Sequence, residues 1–258
     1  MKILLFIFEL LLKLVGGEKL SPEEILTPQD AADIQEEEET SEIELINAPI
    51  EEAITSNFHW IIDPGHGPRT KGKRSLPLPE DGYVFFEWEY NHHIARLVCS
   101  RLKELNIAHS QSVQLSERLG NDLVNRVGYA NDLESSKPKR FVSIHANAAK
   151  GGDKRWIDDT EGTETFIFTN AKKESREMAL NFNTRICNLL QSTNRGVKTA
   201  NFYVLRKTKM PACLIEVDFF TNKQFVRLSR SEAHRQAVAD AIVSSILELE
   251  AFSVIPFA

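Results

Sequence analysis

From Phe58 onward the apolar positions of this chain switch between two rhythms. FHWIID (58–63), RFVSIHAN (140–147) and TETFIFT (163–169) are short apolar runs of strand length, the first ended by Pro64-Gly65. FYVL (202–205) and ACLIEV (212–217) read as two further strands. Between the runs, apolar residues recur at helical spacing: Ile94, Leu97, Val98, Leu102 and Leu105 within 87–105, then Leu119, Leu123, Val127 and Ala130 within 117–133. A helix over 172–190 follows. A last one, about 231–250, is expected to bury Ala237, Ala241, Ile242, Ser245 and Leu249. Strands alternating with helices predict an α/β domain, a single mixed and mostly parallel sheet with helices on both faces.

Ahead of this domain the pattern changes twice. Residues 1–17, MKILLFIFELLLKLVGG, are apolar but too short to span a bilayer as a helix. Lys2, Glu9 and Lys13 share one narrow stripe of a helix whose remaining surface is Leu, Ile and Phe. Such an amphipathic helix is an interfacial anchor or packs on a partner or on the body. A secretory signal, with Val15 and Gly17 as cleavage positions, is the competing reading. Residues 18–56 hold thirteen acidic side chains against Lys19 alone and no aromatic residue, so they read as a disordered, solvated linker. The expected division is therefore an N-terminal helix over 1–17, a linker over 18–56, a catalytic domain over 57–251 and a tail over 252–258.

The net charge of −6 hides a body of +5 over 57–258. No basic stripe interleaved with aromatics accompanies that charge, so nucleic acid is not expected as a partner and another anionic polymer fits better. Cys99, Cys187 and Cys213 are too few and too scattered for a disulfide scaffold, and each sits in an apolar stretch expected to bury it. No phosphate-binding glycine loop and no G-x-S-x-G occurs.

Four polar residues interrupt strand and helix ends. His66 follows the first strand in DPGHG, His145 ends the second in SIHAN, Glu216 ends the last in LIEVDF, and Glu87 opens the first helix. In an open α/β sheet, residues at the carboxyl ends of neighbouring strands converge on one crevice. Two histidines and a carboxylate are a common ligand set for catalytic zinc, which lowers the pKa of water to about 7 and polarises a carbonyl. A second carboxylate, off the metal, is then needed to carry a proton to the leaving nitrogen. The plain alternative is that each histidine is a satisfied polar residue. A carboxylate amid Leu214, Ile215, Val217 and Phe219 is harder to explain that way, because burial without a partner costs several kcal/mol. His92 and His93 are read as exposed, and His59, His109 and His234 as lacking functional neighbours.

IIDPGHG (61–67), EWEYN (87–91), RVGYAN (126–131), FVSIHAN (141–147), GTETF (162–166), NRGVKTANFYVL (194–205) and PACLIEVDFFTN (211–222) occur in an order that resembles the zinc-dependent N-acetylmuramoyl-L-alanine amidases, the amidase type 3 family. The resemblance covers about Trp60 to Leu249. It implies the zinc amidase fold, of phosphorylase/hydrolase-like type, and cleavage of the amide between N-acetylmuramic acid and L-alanine of peptidoglycan. It also implies one Zn2+ held by His66, Glu87 and His145, with Glu216 as catalytic base and acid; Glu89 is the alternative to Glu87. Asp63 would orient His66 or cap the Pro-Gly turn. Asn147 and Arg126 would be structural or substrate-orienting, and Arg195 lies where the family closes its groove.

Between Ala148 and Gly162 the segment is too short for the helical arm with which regulated relatives block their own site, so an open groove is expected. No C-terminal cell-wall-binding module is expected, which would leave targeting to residues 1–17, at a membrane surface, or to the positive body. The expected protein is a monomeric autolysin- or endolysin-like hydrolase acting in the cell envelope, whether secreted, membrane-tethered or released by lysis. Competing readings are a zinc peptidase-like hydrolase of the same fold and a non-catalytic peptidoglycan-binding adaptor.

Overall fold

A computed structural model of the protein describes residues 56–252. The expectations for residues 1–17, for the linker up to residue 55 and for the tail from 253 lie outside the described residues. Six strands form one sheet: β1 (His59–Pro64), β2 (His109–Gln111), β3 (Lys139–Asn147), β4 (Thr163–Ile167), β5 (Asn194–Thr199) and β6 (Ala212–Phe219). Their spatial order is β2-β1-β3-β6-β4-β5. All neighbouring pairs are parallel except β4 with β6, so the sheet is mixed and mostly parallel as the alternating pattern predicts. The helices are α1 (Glu87–Glu104), α2 (Leu123–Asp132), α3 (Lys173–Leu190), α4 (Tyr203–Lys207), α5 (Lys223–Leu228) and α6 (Glu232–Phe252).

Alternation along the strands sorts the core into two clusters. Trp60, Ile62, Val142, Ile144, Cys213 and Ile215 pack with α1, α3 and α6 in the larger one. Ile61, Phe141 and Leu214 point the other way, into a smaller cluster with Val127, Ala130, Val204 and Leu205 of α2 and α4. That second layer is thin: α2 has ten residues and α4 five. No helix among the described residues is long and apolar enough to cross a membrane.

Several expected elements differ. FYVL is not a strand: residues 203–207 form α4, with Val204 and Leu205 buried and Phe202 40 % exposed. The strand of that region is the polar NRGVKT of β5, and β2 is likewise the polar HSQ. Both are sheet edges with half-exposed side chains, so neither needs the apolar residues that betray a strand. α2 begins at Leu123, after an Asp122 in the left-handed conformation, and not near residue 117. In α6 the core face is carried by Val238, Ala239, Ala241, Ile242, Ser245 and Ile246, whereas Ala237 is exposed. Cys187 and Cys213 are buried, Cys99 only partly.

Ser56 belongs with the body. Its hydroxyl, the Asn57 backbone N–H and the Trp60 indole N–H all donate to the carboxylate of buried Glu250.

Candidate metal centre

The carboxyl ends of β1, β3 and β6 lie side by side, and the two-residue alternation decides which side chains meet there. Asp63 shares a face with Ile61, Ser143 and His145 with Phe141, and Glu216 with Leu214. This is the thinly covered face. His145 and Glu216 are direct partners in the β3–β6 register. The cleft above them, about 210 Å³, is walled by Leu123 of α2, by Phe202, Tyr203 and Val204 at α4, and by Lys73 and Asn121 from loops. A cavity of about 300 Å³ lined by Asp218, Asn222 and His234 contains none of the candidate site residues.

His66, Glu87 and His145 each offer a ligand atom, and these atoms lie within 4.8 Å of one another. Glu87 is 1 % exposed; its Oε1 accepts from His145 Nδ1 at 2.9 Å and from the Ala146 N–H at 3.3 Å, and stands 3.3 Å from His66 Nε2. His66 Nε2 and Glu87 Oε2 are buried with no hydrogen-bond partner among the described residues. Such orphaned atoms are costly in a folded protein. Two imidazoles and a carboxylate with two unsatisfied ligand atoms fit a divalent cation with nitrogen and oxygen preference. Glu89, by contrast, is exposed and outside the group.

The loop that presents His66 is held against its own preference. His66 adopts φ 64°, the left-handed region that costs a non-glycine residue on the order of 1–3 kcal/mol. Its carbonyl accepts from Arg126 Nη2 at 2.7 Å and from His92 Nε2 at 3.0 Å, while Asn91 Nδ2 donates to the Gly65 carbonyl at 3.1 Å. Gly65 is required by crowding, since a β-carbon there would overlap the His145 ring. His66 Nδ1 donates to Asn121 Oδ1 at 2.7 Å, which leaves Nε2 free to face Glu87. Asn121 is thus the residue that fixes the ring, a role the sequence reading gave to Asp63.

Asp63 does something else. It is 1 % exposed and paired with the equally buried Arg126 at 2.7 Å, and it also accepts from Ser112 and Ser143. Burial would raise its pKa, but the Arg126 charge and these hydrogen bonds outweigh burial and hold it below the usual carboxylate value. Arg126 reaches on to the carbonyls of Pro64, His66 and Asn121, so it is a clamp on the β1 loop. His92 is buried, contrary to the expectation that it is exposed, because its ring is spent on the His66 carbonyl.

Burial also acts first on Glu87, where it would raise the pKa. The His145 hydrogen bond and the two imidazoles beside it reverse that effect and leave the group strongly ionised. Glu216 has no such support. Burial raises its pKa well above the ordinary value, the Glu87 and Glu164 charges push the same way, and Lys73 opposes them. Its Oε2 is buried without a hydrogen-bond partner among the described residues. The same crevice thus favours the anion at Glu87 and the neutral acid at Glu216.

Asn147 and Arg195 do not touch the cluster directly. Asn147 Nδ2 donates to Glu164 Oε1 at 2.7 Å and Arg195 Nε to Glu164 Oε2 at 2.8 Å, with Lys198 on the same oxygen. Glu164 faces Glu216 across the β4–β6 ladder. The sequence reading missed Glu164, although it interrupts an apolar strand just as Glu216 does. Asn121 and Lys73 lie in loops and carry no periodic signal. Residues 148–162, between β3 and β4, contain no helix.

The model of the family described as N-acetylmuramoyl-L-alanine amidase matches residues 61–248. Among curated proteins, the uncharacterized protein YqiI of Bacillus subtilis is 32 % identical over 192 residues, 72 % of this chain and 81 % of that protein. N-acetylmuramoyl-L-alanine amidase LytC of the same organism is 29 % identical over 70 % of this chain, a match that spans only 33 % of LytC. Among solved structures, an N-acetylmuramoyl-L-alanine amidase from Clostridium difficile 630 superposes with a TM-score of 0.64 at 30 % identity, covering 75 % of this chain and 97 % of that one.

Proposed function

Because the chain belongs to the N-acetylmuramoyl-L-alanine amidase family, we propose that it hydrolyses the amide joining the lactyl group of N-acetylmuramic acid to L-alanine in peptidoglycan. We further propose that a single Zn2+ is held by His66, Glu87 and His145, and that the substrate is met outside the cytoplasm, in the cell wall. The observation that carries the reading is the convergence of those three ligand atoms, two of them buried and unsatisfied, beside the unligated carboxyl of Glu216.

Zinc held by His66, Glu87 and His145 would supply Lewis acidity toward the scissile carbonyl and toward water at neutral pH. The rest falls to the chain's own residues. Glu216 takes the proton of the attacking water, its Oε2 being free of any hydrogen bond among the described residues. It returns the proton to the alanine nitrogen as the carbon–nitrogen bond breaks, so that a neutral amine departs. Asn121 and the Arg126 clamp keep His66 in place throughout. Leu123, Phe202 and Tyr203 give one side of the cleft an apolar wall.

Digestion of purified sacculi with product analysis tests the proposal. Stem peptides bearing a free alanine amino group, with intact cross-links, are expected. Cleaved cross-links would point instead to a peptidase, and binding without any product to an adaptor.

A further inference from the structure

Among the described residues, the cleft holds one cation that donates no hydrogen bond. Lys73 lines the cleft with Glu216, His66 and Asn121. Its Nζ is 3.8 Å from Glu87 Oε2, beyond hydrogen-bonding distance, and among the described residues it has no hydrogen-bond acceptor. The other cations near the site, Arg126, Arg195 and Lys198, are all committed to Asp63 or Glu164. The Lys73 side chain is 42 % exposed and pairs with Glu87 alone; of its neighbours in the run RTKGKR (69–74), Arg69, Lys71 and Arg74 make no ion pair among the described residues.

Lys73 is not on a wandering loop. Its carbonyl accepts from the Glu87 N–H at 3.0 Å, which ties it to the helix that carries the proposed ligand. The residues that follow fold back on themselves, with a bridge between Arg74 and Phe86 and a Ser75 to Phe85 hydrogen bond of 3.0 Å. The tip of this hairpin is pinned by Arg227 on Glu80 at 2.6 Å and Arg230 on Asp81 at 2.5 Å. The hairpin therefore holds at the rim of the proposed centre an ammonium group that faces Glu87 Oε2 at 3.8 Å and donates no hydrogen bond among the described residues.

We propose that Lys73 forms an anion subsite that takes a free carboxylate on the stem-peptide residue immediately after the alanine. The inference rests on the amidase reading above. Two residues of extended chain span at most about 7 Å, so that carboxylate falls within reach of a cation beside the ligand cluster. An ammonium–carboxylate contact there orients the peptide and places the alanine nitrogen toward Glu216. An amidated substrate lacks the charge and gains nothing from Lys73.

The test uses the zinc-loaded full-length protein and two soluble disaccharide-peptides that differ only in whether that carboxyl is free or amidated. Wild type is expected to favour the free acid by about tenfold in kcat/KM, the scale of one charge-assisted hydrogen bond. Lys73→Gln should lower kcat/KM for the acid about tenfold more than for the amide and so abolish the preference; Lys73→Arg should keep it. Equal kcat/KM for the two substrates in wild type overturns the proposal without any variant. So does a Lys73→Gln effect that is the same on both, which would mark Lys73 as a counter-ion of Glu87 only. Failure of wild type to release alanine-terminated peptide from either substrate would instead overturn the amidase reading beneath it, and the subsite with it.

Discussion

His145 and Glu216 are register partners on adjacent parallel strands, yet the two side chains are bonded quite differently. His145 turns its Nδ1 to Glu87, while Glu216 has no hydrogen-bond donor at its Oε2 among the described residues. A parallel ladder holds such neighbours about 5 Å apart, which suits a ligand and an acid–base group serving one reacting centre.

Glu216→Gln removes the titrating oxygen and preserves shape. Zinc content should stay at wild-type level while release of stem peptide from sacculi falls at least a hundredfold. Release at the wild-type rate would remove Glu216 from the chemistry.

His145→Ala and Glu87→Ala each delete one of the three converging atoms. Both should lose zinc on dialysis and lose activity with it, as metal analysis of the purified proteins would report. Glu89→Ala, at an exposed position one helical residue pair away, should retain both.

Asn121→Ala frees the His66 ring without touching a proposed ligand. Loss of such a supporting hydrogen bond typically weakens metal binding by about 10–100-fold, and competition with a chelator measures it. Unchanged affinity would mean that the Arg126 and His92 contacts to the backbone suffice.

The Asp63–Arg126 pair makes stability depend on acid. Asp63 has a folded pKa below its unfolded value of about 3.9, so its contribution is complete above that pH and disappears as pH falls through the lower folded value. Asp63→Asn leaves a buried guanidinium without its carboxylate and should cost about 3–5 kcal/mol at pH 7. Urea unfolding from pH 7 to pH 3 should show wild type and variant converging below about pH 4. A constant gap across that range would contradict the sign.

Glu250→Ala should strip the donors of Ser56, Asn57, Phe58 and Trp60 of their shared acceptor. A loss of about 1–3 kcal/mol in thermal or urea unfolding is expected, with activity per folded molecule retained.

Period-two and period-3.6 patterns sufficed for the central strands and the long helices, because those elements bury apolar faces and burial writes itself into residue spacing. The same logic marked Glu216, a carboxylate where an apolar residue belongs. The edge strands β2 and β5 left no such trace, since half-exposed positions tolerate polar residues. Their places at strand and helix ends singled out His66, Glu87, His145 and Glu216 in the sequence, and the motif order pointed to the same four. Which atoms face one another was settled only by the fold. Asn121, Arg126 and His92 reach the His66 loop from 26 to 60 residues away, through contacts that no local spacing encodes. Long-range hydrogen bonds are set by where strands and loops come to rest, so a residue such as Asp63 can look like a support for His66 in the chain and prove to be a partner of Arg126 in space.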